Sequence, residues 1–483
     1  MKSILLTSLP KYDVVAPPAA IGVLQGIAQH EGLRTDVFDF NLYLYKNLTQ
    51  QEWQDLDNWL IFLRKDIDND LKNKIIKLWE KGLTNKIPDN CEYLLISVFS
   101  YWSLYIARLL IEHEAKKIKP YKLIVGGNGV SSKFPDTNLH FKEWNDRNNY
   151  IEHLVIGEGE VPLSKIISNG KVSYNDTDLD CFPFPTYSNF DFSNYQEKKL
   201  YITGSRGCVR RCTFCDIENI WPKFRYRTAE SLVEEIKRHF YEHGTTRFDF
   251  TDSLINGSVS NFYKFNVLLA EEKQKNNDLK DVGYLGQFIC RPKNQMPVNH
   301  YEAMYYAGCR QLTVGIESFS ERVRDHMKKK FSDEDIEYHL EQSGYYQIQN
   351  VLLMITGYPT ETLSDHEKNL HDIEKYKMYA KAGVIEMIRW GTTMHLISDT
   401  PITSAESVAE LGLKGNDEVQ TGGGELATYN WSSEINPDLT LKERLRRRVE
   451  LHKKTVECGY PQPNVKNELT TILEMSKLLV RDV

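Results

Sequence analysis

The chain has 483 residues, more than one hydrophobic core normally serves, so its length alone favours two or three domains. With 41% hydrophobic and 26% charged residues it has the composition of a folded chain rather than a disordered one. A net charge of −7 and a pI near 6.1 give no bias towards nucleic acid or an anionic membrane, so neither partner is expected.

The N-terminal stretch MKSILLTSLPKYD is too short and mixed for a signal peptide, and no later run approaches about eighteen apolar residues. A cytoplasmic protein is expected. Apolar runs at 3–8, 34–39, 93–99 and 122–127 alternate with helix-like segments, which predicts a Rossmann-like, doubly wound parallel sheet over residues 1–170. The first crossover helix should start at Pro18 and end near Gly32. Residues 45–90, rich in charge and Trp at helical spacing, read as a helical insertion. The stretch DTDLDCFPFPTYSNFDF (176–192) lacks a period and suits a linker over 171–198.

A second alternation follows, with candidate strands at 200–205, 246–251, 283–289, 311–316, 350–356 and 385–390. Six βα units over 199–392 predict a partial (β/α)6 barrel, since a closed eightfold barrel takes about 250 residues. Its chemistry should lie at the C-terminal ends of its strands. Residues 393–483 read as a mostly helical, substrate-side segment in which Thr440 and Glu443 have the spacing of a capping box. There the basic stretch Arg444–Arg448 reads as a solvated helix face, and TGGGE (421–425) as a flexible turn.

The chain has eight cysteines, and GCVRRCTFCD (207–216) gathers three of them, Cys208, Cys212 and Cys215, in one loop directly after the first barrel strand. Structural zinc takes four ligands in two close pairs, whereas here no fourth Cys or His is near. Three thiolates leave a metal site open, and a four-iron cluster held by three of them keeps one iron for a small-molecule ligand. A zinc or core role for the three cysteines stays open on spacing alone.

CVRRCTFC resembles the CxxxCx(aromatic)C motif of the radical S-adenosylmethionine (SAM) enzymes, with Phe214 as the aromatic residue. The resemblance implies that Cys208, Cys212 and Cys215 hold a [4Fe–4S] cluster whose open iron chelates the amino and carboxylate groups of SAM. It also implies reductive cleavage to methionine and a 5′-deoxyadenosyl radical, with electrons from a donor such as flavodoxin or ferredoxin. RFDFTDSLING, FICRP, TVGIESFSERVRDHMKK and MITGYPTET resemble later strand ends of the same family. They imply Asp252 at the SAM amino end, Arg291 at its carboxylate, Glu317 and Ser318 at the ribose or amino group, and Gly357 in the turn beneath the adenine.

The front half is similar to the branch that carries a cobalamin-binding domain, on PPAAIGVLQGIAQHEG, LLISVFSYWSL, LIVGGNGVSS and VIGEGEVPL. This implies cobalamin as a third cofactor, with Gly126, Gly127 and Gly129 letting backbone approach the corrin. The Asp-x-His-x-x-Gly motif is absent, since His30, His113, His140 and His153 all lack an Asp two residues earlier. The implied function is a cobalamin-dependent methyltransferase acting at an unactivated carbon of a small-molecule or peptide substrate. A cobalamin-free relative catalysing rearrangement, cyclisation or elimination is the alternative. A methylthiotransferase-like enzyme needs a second three-cysteine set, and only Cys91 and Cys181 precede the triad. A zinc-stabilised RNA-binding protein using Arg444–Arg448 is the reading from a different class. For the substrate side, His395, Asp399, Tyr429 and Trp431 are the candidates, with packing or surface roles as their alternative.

Overall fold

A computed structural model describes residues 2–61, 67–134, 137, 139–171, 174–415 and 430–461. The chain forms two compact units, divided near residue 202.

In the first unit, β1 (Ser3–Ser8), β2 (Arg34–Asp39), β3 (Cys91–Ser97), β4 (Lys122–Gly126) and β5 (His153–Leu154) form one sheet in the order β2-β1-β3-β4-β5. Every pair is parallel. β1 is buried along its whole length because both faces are covered. Ile4, Leu6, Tyr93, Leu95 and Ile124 point to one face, against Ile21 and Ile27 of helix Ala19–His30. Leu5, Leu94, Ile96, Leu123 and Val125 point to the other. The helical insertion, Phe40–Asn47, Gln50–Ile61 and Asn69–Lys86, supplies part of that second cover. Its Trp79 is fully buried and donates its indole N–H to Glu114 at 2.9 Å. The strand order reverses between β1 and β3, which opens a crevice beyond their C-terminal ends.

The second sheet comprises β6 (Lys199–Ile202), β9 (Arg247–Phe250), β10 (Gly283–Phe288), β11 (Cys309–Glu317), β12 (Gln349–Thr356) and β13 (Ile385–Thr393). Between β6 and β9 lies a short antiparallel pair, β7 (Ser205–Arg206) with β8 (Arg225–Tyr226). Spatial order equals chain order, with β6 and β13 at the two edges, so the barrel is open and six-stranded as expected. The pairs from β10 to β13 are parallel.

The segment after residue 393 differs from the expected helical tail. It has a short helix, Ala405–Leu411, and an antiparallel pair, β14 (Leu413–Gly415) with β15 (Trp431–Ser433), before the helix Leu441–Glu457. Thr440 caps that last helix, accepting from the Glu443 N–H at 3.2 Å, but Glu443 gives its carboxylate to Arg446 and Arg447 instead of completing a capping box. The basic stretch is not a solvated face either. Arg444, Arg447 and Arg448 are all buried. Arg444 stacks 3.7 Å above Trp431 and donates to the Trp431 and Leu439 carbonyls, while Arg447 pairs with buried Glu361 at 3.0 Å. These side chains bind the helix to the segment after β12, so they present no face to nucleic acid. TGGGE and Tyr429 lie outside the described residues.

Candidate cofactor site

The three-cysteine loop leaves β7 through Gly207, whose φ of +82° favours glycine and whose missing Cβ would sit 2.8 Å from the Lys223 carbonyl. The loop is pinned from two sides. The Thr213 N–H donates to the Met327 carbonyl at 3.2 Å, and the Thr213 carbonyl accepts from Ile402 N–H at 2.8 Å. Cys212 is buried, while Cys208 and Cys215 are partly open. Burial pushes the Cys215 thiol up to about 11 and the Cys212 thiol above its usual range, and neighbouring sulfurs add to the rise in both. Such a set binds metal only with release of its protons to a strongly attracting cation.

The spread of the sulfurs separates two kinds of occupant. Thiolates around one zinc lie about 4 Å apart, given a Zn–S distance of about 2.3 Å. Among the described residues, the only trio of ligand atoms within a mutual 4.8 Å is that of His239, Glu242 and His243, so the three cysteine sulfurs do not all lie within 4.8 Å of one another. A cubane, whose irons each take one thiolate, suits the all-sulfur donor set.

The other strand ends gather around this loop. Asp252, after β9, is 2% exposed; one carboxylate oxygen accepts from Gly204 N–H at 2.8 Å and the other from the Ser205 hydroxyl at 2.5 Å. Burial raises its pKa to about 6 against these hydrogen bonds. Both oxygens are therefore engaged in holding the strand that leads into the cysteine loop. Arg291, after β10, is buried rather than solvated and donates to the Asn256 carbonyl at 3.0 Å. Burial, helped by the like charge of Arg210, lowers its pKa to about 10, while Cys208 opposes that shift.

Glu317 ends β11 with φ +67°, a left-handed conformation that costs a non-glycine residue energy, and pairs with Lys329 at 3.0 Å. Ser318 turns the other way: it is fully buried, accepts from Ser320 N–H and lies 3.4 Å from Asn369, so its hydroxyl braces the turn instead of facing the cysteines. Gly357, at φ +77°, lies under the side chain of Arg444, which would collide with any Cβ. It serves the docking of the last helix. Lys329 ends the stretch TVGIESFSERVRDHMKK, yet it is not among the residues that the sequence reading assigns to the site. His395 is half-buried, with its pKa lowered to about 4 by desolvation, and Trp431 is fully buried beneath Arg444.

At the switch-point edge of the front sheet, glycines bring two loops together. Gly129 has no room for a Cβ, which would sit 2.5 Å from the Ser100 carbonyl, and Gly127, at φ +106°, lies equally close to the Val98 carbonyl. Gly126 abuts Val155. Phe99 after β3, Tyr101 in the same loop and Ile156 after β5 stay exposed at this edge, an apolar rim of the kind a large flat ligand covers. The loops 9–18, 98–103, 127–134 and 155–159 contain no histidine. Below the rim, Tyr12 and Tyr195 donate to the buried Asp39 carboxylate at 2.7 and 2.8 Å.

Residues 202–373 match the radical SAM superfamily. The second unit is a radical SAM domain. Such a domain implies a [4Fe–4S] cluster and SAM, in agreement with the cysteine loop. The chain is 25% identical over 274 residues to a putative methylthiotransferase of Methanocaldococcus jannaschii, covering 52% of this chain and 57% of that one. It is 25% identical over 227 residues to the cytidylyl-2-hydroxyethylphosphonate methyltransferase of Streptomyces wedmorensis, covering 42% of this chain and 39% of that one. The chain thus spans about half or less of the length of these relatives.

Two solved structures share the fold. One is the radical SAM methyltransferase TsrM from Kitasatospora setae with cobalamin and a [4Fe–4S] cluster bound: TM-score 0.58, 17% identity, 87% of this chain and 78% of that one. The other is the cobalamin-dependent radical enzyme OxsB with aqua-cobalamin and SAM bound: TM-score 0.62, 15% identity, 84% of this chain and 61% of that one. The chain accordingly shares its fold with both structures. No helix among the described residues is long and apolar enough to cross a membrane.

Proposed function

We propose that this chain is a cobalamin-dependent radical SAM methyltransferase that acts at an unactivated carbon of a small-molecule or peptide substrate, with a flavodoxin or ferredoxin as electron donor. The observation that carries the reading is the cysteine loop: three thiols in one short loop, two of them partly open, after the first strand of an open barrel. When bound, the cluster supplies the electron for SAM cleavage and cobalamin supplies a methyl group. Cys208, Cys212 and Cys215 would hold the cluster; Arg291 and Glu317 match a SAM carboxylate and amino group in charge. Asp252 positions the loop through Gly204 and Ser205. Phe99, Tyr101 and Ile156 support cobalamin at the front edge, because exposed apolar side chains at a topological switch point suit a broad ligand. The missing loop histidine leaves a cobalt ion without an imidazole from these loops, and this favours the cobalamin-free reading as the competitor.

Anaerobic incubation of the reduced, cluster-loaded chain with SAM and hydroxocobalamin tests both. Formation of 5′-deoxyadenosine together with retained cobalt supports the methyltransferase. Formation of 5′-deoxyadenosine without cobalt uptake moves the assignment to rearrangement, cyclisation or elimination.

A further inference from the structure

We propose that His239, Glu242 and His243 form a binding site for a zinc-class divalent cation at the C-terminal end of helix Ala229–His243, separate from the cysteine loop and independent of the radical SAM reading.

In the run HFYEH (239–243) the three side chains stand at i, i+3 and i+4, the spacing that puts them on one face of a helix. One ligand atom from each lies within 4.8 Å of the other two. Two donors on one tetrahedral zinc stand about 3.4 Å apart, given a Zn–N distance of about 2.1 Å. His243 Nε2 is already 3.7 Å from Glu242 Oε2. Arg238 donates to the other carboxylate oxygen at 2.8 Å, which holds Oε2 towards the histidine in the manner of an outer-shell partner. The two imidazole rings lie 27° from parallel with their centroids 5.8 Å apart. The stretch Arg238–Arg247 belongs to the first compact unit, where Tyr187 meets the His239 ring edge-on at 5.4 Å and Phe192 lies 5.1 Å from the His243 ring. These aromatic walls fix both imidazoles in place.

Burial is graded across the trio: His239 is fully buried, His243 is mostly covered and Glu242 is exposed, so a cation entering on the Glu242 side meets two fixed imidazoles. His243 Nε2 is itself buried and makes no hydrogen bond among the described residues. A polar atom left so costs free energy, and a cation would take up its lone pair. The helix ends at this point, with Gly244 at φ +62° donating its N–H to the Phe240 carbonyl at 2.7 Å. The last-turn carbonyls give that end a partial negative charge, which favours a cation there. Two imidazoles and one carboxylate suit zinc, whereas calcium and magnesium take oxygen donors. Three protein ligands leave the fourth position of a tetrahedral ion to water.

The test uses the full cluster-loaded chain, dialysed anaerobically against about 1 μM free zinc, with bound zinc counted by elemental analysis and its ligand shell read by X-ray absorption at the zinc edge. Wild type should hold one zinc beside its iron, with nitrogen and oxygen donors at about 2.0–2.1 Å and no sulfur at about 2.3 Å. His243→Gln and Glu242→Gln should each weaken zinc binding by about a hundredfold, at or beyond the upper end of what loss of an outer-shell partner costs, and leave iron content unchanged. Zinc should raise the thermal-unfolding midpoint of wild type and of neither variant. A shell containing sulfur puts the ion in the cysteine loop and overturns the site, as do zinc held in full by both variants and a wild type that holds none. Should a variant misfold, the wild-type ligand shell still decides. A nitrogen-and-oxygen zinc in a chain that takes up no iron supports this site while sinking the radical SAM reading.

Discussion

Asp252→Asn separates a buried acid that positions a loop from one poised at a ligand. The carboxyl has a folded-state pKa of about 6 against an ordinary value of 3.8. A raised folded pKa contributes stability that is fully present below the unfolded value and lost as pH rises through the folded one. The loss amounts to about 3 kcal/mol in all, of which about 1.5 kcal/mol falls between pH 5 and pH 8. Asparagine keeps the shape and removes the titration: its carbonyl can accept from Gly204 N–H while its amide donates to the Ser205 oxygen. Urea denaturation of the apo-protein, followed by tryptophan fluorescence at pH 5, 6 and 8, should show Asp252→Asn gaining about 1.5 kcal/mol on the wild type across that range. Asp252→Ala, which leaves two donors without an acceptor, should lose about 1–3 kcal/mol and retain less iron. A difference between Asp252→Asn and wild type that stays constant with pH, or that narrows towards pH 8, would refute the reasoning.

Three further outcomes follow from the geometry. Arg447→Met strands the buried Glu361 carboxylate and is expected to cost about 3–5 kcal/mol, read as a lower thermal-unfolding midpoint; a midpoint equal to wild type contradicts the docking role of the last helix. Gly129→Val drives a side chain into the Ser100 carbonyl at the front edge and should reduce cobalt uptake while iron content holds; equal cobalt in both proteins removes that edge as the cobalamin site. Alanine at Cys208, Cys212 or Cys215 should each abolish SAM cleavage with the circular dichroism spectrum unchanged, and cleavage surviving in any of the three would refute the cluster assignment.

The strands of both sheets are legible in the sequence because parallel strands covered on both faces read as short apolar runs, and those runs fall within about three residues of the observed bounds. β5 has only His153 and Leu154, too few residues to show any period, and so left no signal. The cysteine loop was legible from spacing, and its place after the first barrel strand from the alternation around it. The C-terminal arginines misled for a physical reason. A charge run is solvated unless distant residues take it in, and the partners of Arg444 and Arg447, namely Gly357, Trp431 and Glu361, belong to other elements. Ser318 and Glu317 are adjacent, yet the left-handed backbone at Glu317 sends them to different surroundings.

The central claim is that Cys208, Cys212 and Cys215 hold an iron–sulfur cluster with an open coordination site. Anaerobic metal and sulfide analysis of the purified chain, with the spectrum recorded before and after SAM is added to the reduced protein, tests it most directly. The account predicts about four irons and matching sulfide per chain, with a spectrum that changes on SAM binding. Stoichiometric zinc without iron would contradict it.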